Sequence, residues 1–209
     1  MLSPRSTLDR EFSAIRDNIL RMGSLVDTAI DRSIRALRTQ DAALSRQIIA
    51  DDQGINDLRF TIEEECLALI ATQQPVASDL RAVIAAMNIV NDMERMGDHA
   101  TGIAKTVIRM DGEPLLKPLL KPLVDIPRMA DLAREMLKKS LDALLARDAE
   151  AARRVAQQDD EIDRLYNQIF RELLSFMIED PATTARGTYL LWAAHNLERI
   201  GDRATNIAE

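Results

Sequence analysis

The sequence predicts an all-α protein built as two tandem antiparallel three-helix bundles. Three observations predict it. Apolar residues recur at steps of three and four almost without a break. Aromatic residues are 3% of the chain, and the aliphatic and charged residues that favour helices dominate. The second half also copies the first: MGSLVDTAIDRSIRALRTQDA from Met22 is matched by MADLAREMLKKSLDALLARDA from Met129.

Each element follows from local signals. A first helix spans about 7–39 through Phe12, Ile15, Ile19, Met22, Val26, Ile30, Ile34 and Leu37. Asp41 is placed to cap a second helix that runs to about Thr72 through Ile48, Ile55, Leu58, Ile62 and Leu69. Gln74-Pro75 ends it, and a third helix runs over about 76–110, with Asp79 available as a cap. The segment DGEPLLKPLLKPL, Asp111 to Leu123, holds three of its residues as proline and reads as a linker. Pro127 suits the first position of a fourth helix, about 126–147; a fifth covers about 148–179 and a sixth starts at Pro181. The organisation is therefore a first bundle over residues 1–110, a linker over 111–123 and a second bundle over 124–209. Short connections force neighbouring helices antiparallel.

The repeat is in register over both halves. Asp41 matches Asp148, Asp52 matches Asp159, and Ile55, Leu58 and Ile62 match Ile162, Leu165 and Ile169, all at an offset of 107. In the third helices ERMGDHATGIA matches ERIGDRATNIA at an offset of 104, because the second turn is shorter.

Composition narrows the function. The net charge is −7 and the pI about 5.0, so phosphate backbones are repelled and nucleic acid is not expected as a partner. Cys66 is the single cysteine, which excludes an internal disulfide and fits a reducing cytoplasm. No apolar run reaches the length of a membrane span, and MLSPRSTLDREF lacks a signal core. A cytoplasmic protein is expected.

The informative residues are acids placed where apolar residues belong. On a helical wheel, Val83, Met87, Val90, Gly97 and Thr101 form an inward stripe of the third helix, with Glu94 inside it and Asp98 about 40° aside. Leu191, Ala194, Gly201 and Thr205 flank Glu198 and Asp202 in the same way. The second helices carry Asp52 and Asn56, and the fifth carries Asp159 and Asp163, again four apart. Measured from the turn near Gln74, Asp52 and Asn56 lie 22 and 18 residues before, and Glu94 and Asp98 lie 20 and 24 after. Measured from Pro181, Asp159 and Asp163 lie 22 and 18 before, and Glu198 and Asp202 lie 17 and 21 after. Equal distances from an antiparallel turn mean equal height, so each bundle gathers four oxygen-bearing side chains at one level.

Carboxylates on an apolar stripe need a positive partner. Facing carboxylates in a bundle are a recurrent metal-site design, and an oxygen donor set suits Mg²⁺, Mn²⁺, Ca²⁺ or iron. His195, three residues before Glu198, would add a nitrogen and admit zinc. Asn91 holds its place in the first bundle. Gly97 and Gly201 remove bulk beside the acids. The competing reading makes the acids surface groups tied to Arg95, Arg199 and Arg203. His99, pointing away from Glu94, reads as a surface or packing residue. Cys66 and the methionines read as core, Trp192 as core or interface, and Glu63-Glu64-Glu65 as a solvated face.

LERIGDRATNIAE, MERMGDHATGIA, CLALIATQQPVASDLR and DIPRMADLAREML resemble the PhoU family of phosphate-signalling regulators, and the likeness covers essentially the whole chain. The resemblance implies a fold of two three-helix bundles and metal clusters at E(D)xxxD motifs in some members. Its motifs fall on Glu94, Asp98, Asp159, Asp163, Glu198 and Asp202, with Asp52 beside them; Asn56 departs from the DxxxD form. The resemblance further implies a cytoplasmic, non-enzymatic negative regulator of phosphate uptake and of the phosphate-starvation response. Its implied partners are the ATPase subunit of the phosphate ABC transporter, a membrane sensor histidine kinase and a second copy of the chain, with the membrane reached only through partners. The alternatives are a carboxylate-bridged metalloenzyme and a metal-free structural helical protein. No Glu-x-x-His pair and no phosphate-cradling P-loop occurs in the sequence, which disfavours the enzyme and direct phosphate sensing.

Overall fold

A computed structural model describes residues 4–110 and 122–209. Residues 111–121, nearly all of the expected proline-rich linker, lie outside the described residues. The helices are α1 (Pro4–Thr39), α2 (Ala42–Gln73), α3 (Ser78–Arg109), α4 (Pro122–Ala146), α5 (Ala149–Ala156), α6 (Asp159–Glu179) and α7 (Thr184–Ala208), with a 3-10 turn at Pro181–Thr183. Helices α1, α2 and α3 pack on one another as the first bundle, and α4, α6 and α7 as the second, with α5 against α4 and α7. Helix α3 also packs along α7, and α1 along α4, so the bundles are joined side by side.

The start of each second helix is set as the sequence predicts. Asp41 accepts from the Leu44 N–H at 2.8 Å and Asp148 from the Ala151 N–H at 2.9 Å, satisfying donors that a helix end leaves orphaned. Alanine at Asp41 is expected to cost about 1 kcal/mol, read as a fall in the denaturant midpoint with an unchanged slope.

Three boundaries differ from expectation. The structure begins α4 at Pro122, where a missing N–H costs nothing, and leaves Pro127 inside the helix rather than at its first position. Helix α3 starts at Ser78, because Ala77 takes φ 49 and ψ −113, outside the helical region; Asp79 therefore falls in the first turn instead of capping it. The expected fifth helix is two, α5 and α6, parted at Gln157-Gln158. There Gln158 N–H closes on Val155 C=O at 2.9 Å, a tightened turn. The break makes Asp159, Asp160 and Glu161 the first turn of α6, where acids meet the positive end of the helix dipole.

One apolar core runs through both bundles. Met22 and Ile30 of α1, Ile62 of α2, Met93 and Met96 of α3, and Met129 of α4 are fully buried, as are Ile162 of α6 and Leu197 of α7. Methionine fills the irregular space between crossing helices. Cys66 is buried among them, its thiol pushed up to about 11 by burial and then by Glu65 and Glu63, so it packs rather than reacts.

The acid run before it is less solvated than expected. Both Glu65 carboxylate oxygens accept from Asn18 Nδ2, at 2.9 and 3.0 Å, and Glu63 pairs with Arg59 at 2.9 Å. Trp192 is 43% exposed, edge-on to Tyr189 at 5.6 Å and beneath the Arg109 guanidinium. Between the bundles, Arg134 of α4 forks onto Asp27 of α1 at 2.7 and 3.0 Å and reaches Asp31 at 2.9 Å.

Candidate metal centre

Two acid clusters lie at corresponding places, one between α2 and α3 and one between α6 and α7. The glycines explain how these helix pairs close. A Cβ on Gly97 would stand 3.0 Å from Ile55 Cδ1 and 3.2 Å from Asp52 Oδ1. A Cβ on Gly201 would stand 2.8 Å from Ile162 Cδ1 and 3.2 Å from Asp159 Oδ1. Both glycines thus trade roughly 1 kcal/mol of helix propensity for an approach that brings an aspartate of one helix against the backbone of the next. Asp52 is level with Gly97 and Asp159 with Gly201, as the counting from the turns requires.

In the second cluster the four predicted acids feel one another. The Asp159 carboxyl is pushed up to about 6, first by burial and then by Asp163, Asp202 and Glu198. Glu198 is also raised, by burial and then Asp202, against the lowering pull of His195 and Arg199. Thr205 beside Asp159 acts the other way, yet its hydroxyl makes no hydrogen bond of good geometry. Glu198 Oε2 and Asp159 Oδ1 are buried oxygens without a hydrogen-bond partner. His195 lies with Nδ1 3.3 Å from Glu198 Oε2, is 56% exposed, and has its ring 6.0 Å from that of Tyr166. Arg199 pairs with Asp202 at 2.6 Å.

The first cluster is built alike but carries less uncompensated charge. Asp52 is raised by burial and then by Asp98, and Asn56 donates to Asp52 Oδ2 at 3.2 Å. Glu94, 12% exposed, pairs through Oε1 with Arg59 at 3.4 Å, while its buried Oε2 makes no hydrogen bond but has Arg95 Nε at 3.5 Å. Asp98, 45% exposed, has Arg95 at 3.5 Å. Arg59 escaped the sequence reading. Its signal was a spacing of seven from Asp52, two turns along one face of α2. At the offset of 107 its counterpart is Tyr166, whose hydroxyl is raised by burial and by Glu198. One cluster contains its own cation; the other has a phenol in that place.

Among the described residues, no three His, Cys, Asp or Glu side chains stand close enough together to ligate one ion as they are placed. The arginine pairs of the competing reading are present at Glu94 and Asp98, both to Arg95, and at Asp202, to Arg199, whereas Arg203 pairs with Asp92 instead. His99 meets neither cluster: its Nδ1 lies 3.1 Å from Asn196 Oδ1, at the contact of α3 with α7. Burial lowers its pKa.

The fold and its paired acid clusters define the class: a helical repeat protein, one bundle duplicated, with carboxylates at the same place in each half. The family model described as "PhoU domain" matches residues 19–107 and 126–209. The chain belongs to the PhoU family. It is 40% identical over 98% of its length to the phosphate-specific transport system accessory protein PhoU homolog of Rhizobium meliloti, covering 85% of that protein. The homolog of the same name from Pseudomonas putida is 40% identical over 95% of this chain and 77% of its own. The crystal structure of PhoU from Pseudomonas aeruginosa superposes with a TM-score of 0.88 at 37% identity, covering 96% of this chain and 94% of that one. The phosphate transport system regulatory protein PhoU from Streptococcus pneumoniae gives 0.87 at 33%, covering 97% and 93%. These relatives are named for accessory and regulatory roles, not for a reaction. No helix among the described residues is long and apolar enough to cross a membrane.

Proposed function

We propose that this chain is a metal-binding regulatory adaptor of phosphate transport. In this reading it works in the cytoplasm, as a dimer, between the ATPase subunit of a phosphate ABC transporter and a sensor histidine kinase. It restrains uptake and starvation signalling when phosphate is plentiful. The observation that carries the adaptor role is likeness to PhoU proteins over both repeats. The test is capture of each purified partner by the full chain: saturable capture of both supports the role, and capture of neither refutes it.

What supports the metal is the set of buried oxygens that make no hydrogen bond on Glu94, Asp159 and Glu198, of which Asp159 Oδ1 also has no ion pair, beside the unbonded hydroxyls of Thr101 and Thr205. All are oxygen donors, the type that hard divalent cations and iron prefer. The residues fit such an ion in kind, and modest side-chain rotation would have to close the set. Asp159, Asp163, Glu198 and Asp202 would hold it in the second bundle, with His195 at its edge; Asp52, Asn56, Glu94 and Asp98 would hold it in the first. A bound cation supplies charge neutralisation, and it ties α2 to α3 and α6 to α7. Each chain residue otherwise pays for its burial through repulsion, so the surface presented to partners depends on occupancy.

The clusters are unequal in this reading, because Arg59 already serves Glu94. Arg59→Gln is expected to raise first-cluster affinity for Mn²⁺ roughly tenfold, since it removes a competing positive charge. Titration calorimetry checks this, and an unchanged or weaker affinity would show that Arg59 does not compete.

A further inference from the structure

Away from both acid clusters, a groove of about 710 Å³ opens where α1, the start of α3 and the end of α4 meet. That volume is in the range of small-molecule sites. Its floor is apolar, with Phe12, Ile15 and Ile19 from α1 and Leu144 from α4. Its lining also holds Arg16 of α1, Arg81 of α3 and Arg147, the residue just past the end of α4. None of the three guanidinium groups has an ion pair or hydrogen bond to another described residue. Asp9 and Asp79 also line the groove, and each makes an interaction of its own. A protein of net charge −7 therefore gathers three uncommitted arginines around one apolar hollow.

The geometry of Arg147 adds a second argument. It sits at φ 52, in the left-handed region that favours glycine. The repeat places Gln40 at the same point of the first bundle, also at φ 52, so the turn needs the conformation but not the charge. The guanidinium is an addition of the second repeat, at the mouth of the groove.

We propose that this groove binds a small organic phosphate, its apolar or aromatic body on the Phe12–Leu144 floor and its phosphate held by Arg16, Arg81 and Arg147. Arginine forks match phosphate oxygens two at a time, and three of them suit a dianion. The apolar floor rewards a molecule with a ring or chain over the bare ion. The site stands independently of the metal clusters and of the adaptor role.

The test is fluorescence titration of the full chain with 1-naphthyl phosphate, with inorganic phosphate and 1-naphthol as half-probes, and with a glutamate-rich amphipathic peptide as a competing occupant. The expected result is saturable binding with a Kd below about 1 mM. Each half-probe binds at least about tenfold more weakly, and Arg147→Gly and Arg81→Gln each weaken the full probe about tenfold. Glycine suits the left-handed turn, so Arg147→Gly keeps the melting temperature. Any of four results overturns the proposal: no saturation, inorganic phosphate binding as tightly as the full probe, full affinity in the Arg81→Gln/Arg147→Gly double variant, or arginine-dependent binding of the peptide alone.

Discussion

Leucine at Gly201 is expected to destabilise the protein by about 3 kcal/mol, a fall of roughly 6–12 °C in melting temperature for a chain of this length. The first added carbon already stands 2.8 Å from Ile162 Cδ1, and Ile162 has no exposed surface. Leucine adds three more carbons into the same gap, so α6 must move away from α7 and take Asp159 with it. Alanine at Gly201 is a different case. Its single methyl meets the flexible end of Ile162, and a gain of about 1 kcal/mol in helix propensity offsets the crowding. Near-neutral stability is expected there.

Gly54 supplies the control, since a Cβ on it meets nothing within 4 Å. Gly54→Ala should therefore raise stability by about 0.5–1 kcal/mol. Thermal melts of the three variants check the series. If Gly201→Leu behaved like Gly54→Ala, the close approach of α6 to α7 would be wrong.

Asparagine at Asp159 is expected to stabilise the metal-free protein and destabilise the metal-loaded one. The Asp159 carboxyl titrates near 6 when folded, against an ordinary value of 3.8. Between those values the folded state holds a proton that the unfolded state has lost. Stability from this group is therefore fully present below the lower value, falls as pH rises toward about 6, and stays low above it. With solvent screening the loss is about 1 kcal/mol. Asparagine cannot ionise, so at pH 7.5 the metal-free variant should melt about 2–4 °C above the parent, and the two should converge as the pH falls toward 4.

A cation reverses the order. At a thousandfold excess over its Kd it adds about 4 kcal/mol to the parent, and the variant, short of one anionic donor, gains much less. Melting both proteins with chelator and with Mn²⁺ gives four numbers whose order is fixed in advance. An asparagine variant less stable than the parent in chelator would mean that the cluster carries no internal repulsion.

Much of this was legible before any coordinates. The steps of three and four in α1 and α2 need no tertiary information, and Asp41 and Asp148 cap the helices they precede. Counting residues from each turn puts Asp52 and Asn56 level with Glu94 and Asp98, and Asp159 and Asp163 level with Glu198 and Asp202, because antiparallel helices of equal rise keep equal heights; the approaches of Asp52 to Gly97 and of Asp159 to Gly201 lie within those levels. What the count could not supply was rotation. Arg59 lies on the same face of α2 as Asp52, but whether its side chain reaches Glu94 depends on how α2 turns about its own axis against α3. His99 meeting Asn196 depends on how two bundles dock, which no periodicity within a helix encodes. The parting of α5 from α6 at Gln157-Gln158 was hidden because both glutamines are acceptable inside a helix. The three acids after them were the visible sign of a new first turn.

Calorimetric titration of chelator-stripped protein with Mn²⁺ tests most directly whether oxygen donors from facing helices hold a cation. The account predicts saturable binding by the parent. It also predicts the loss of the tighter site in a Glu198→Gln/Asp202→Asn variant that still melts cooperatively. The absence of saturable binding, or identical isotherms for parent and variant, would contradict it.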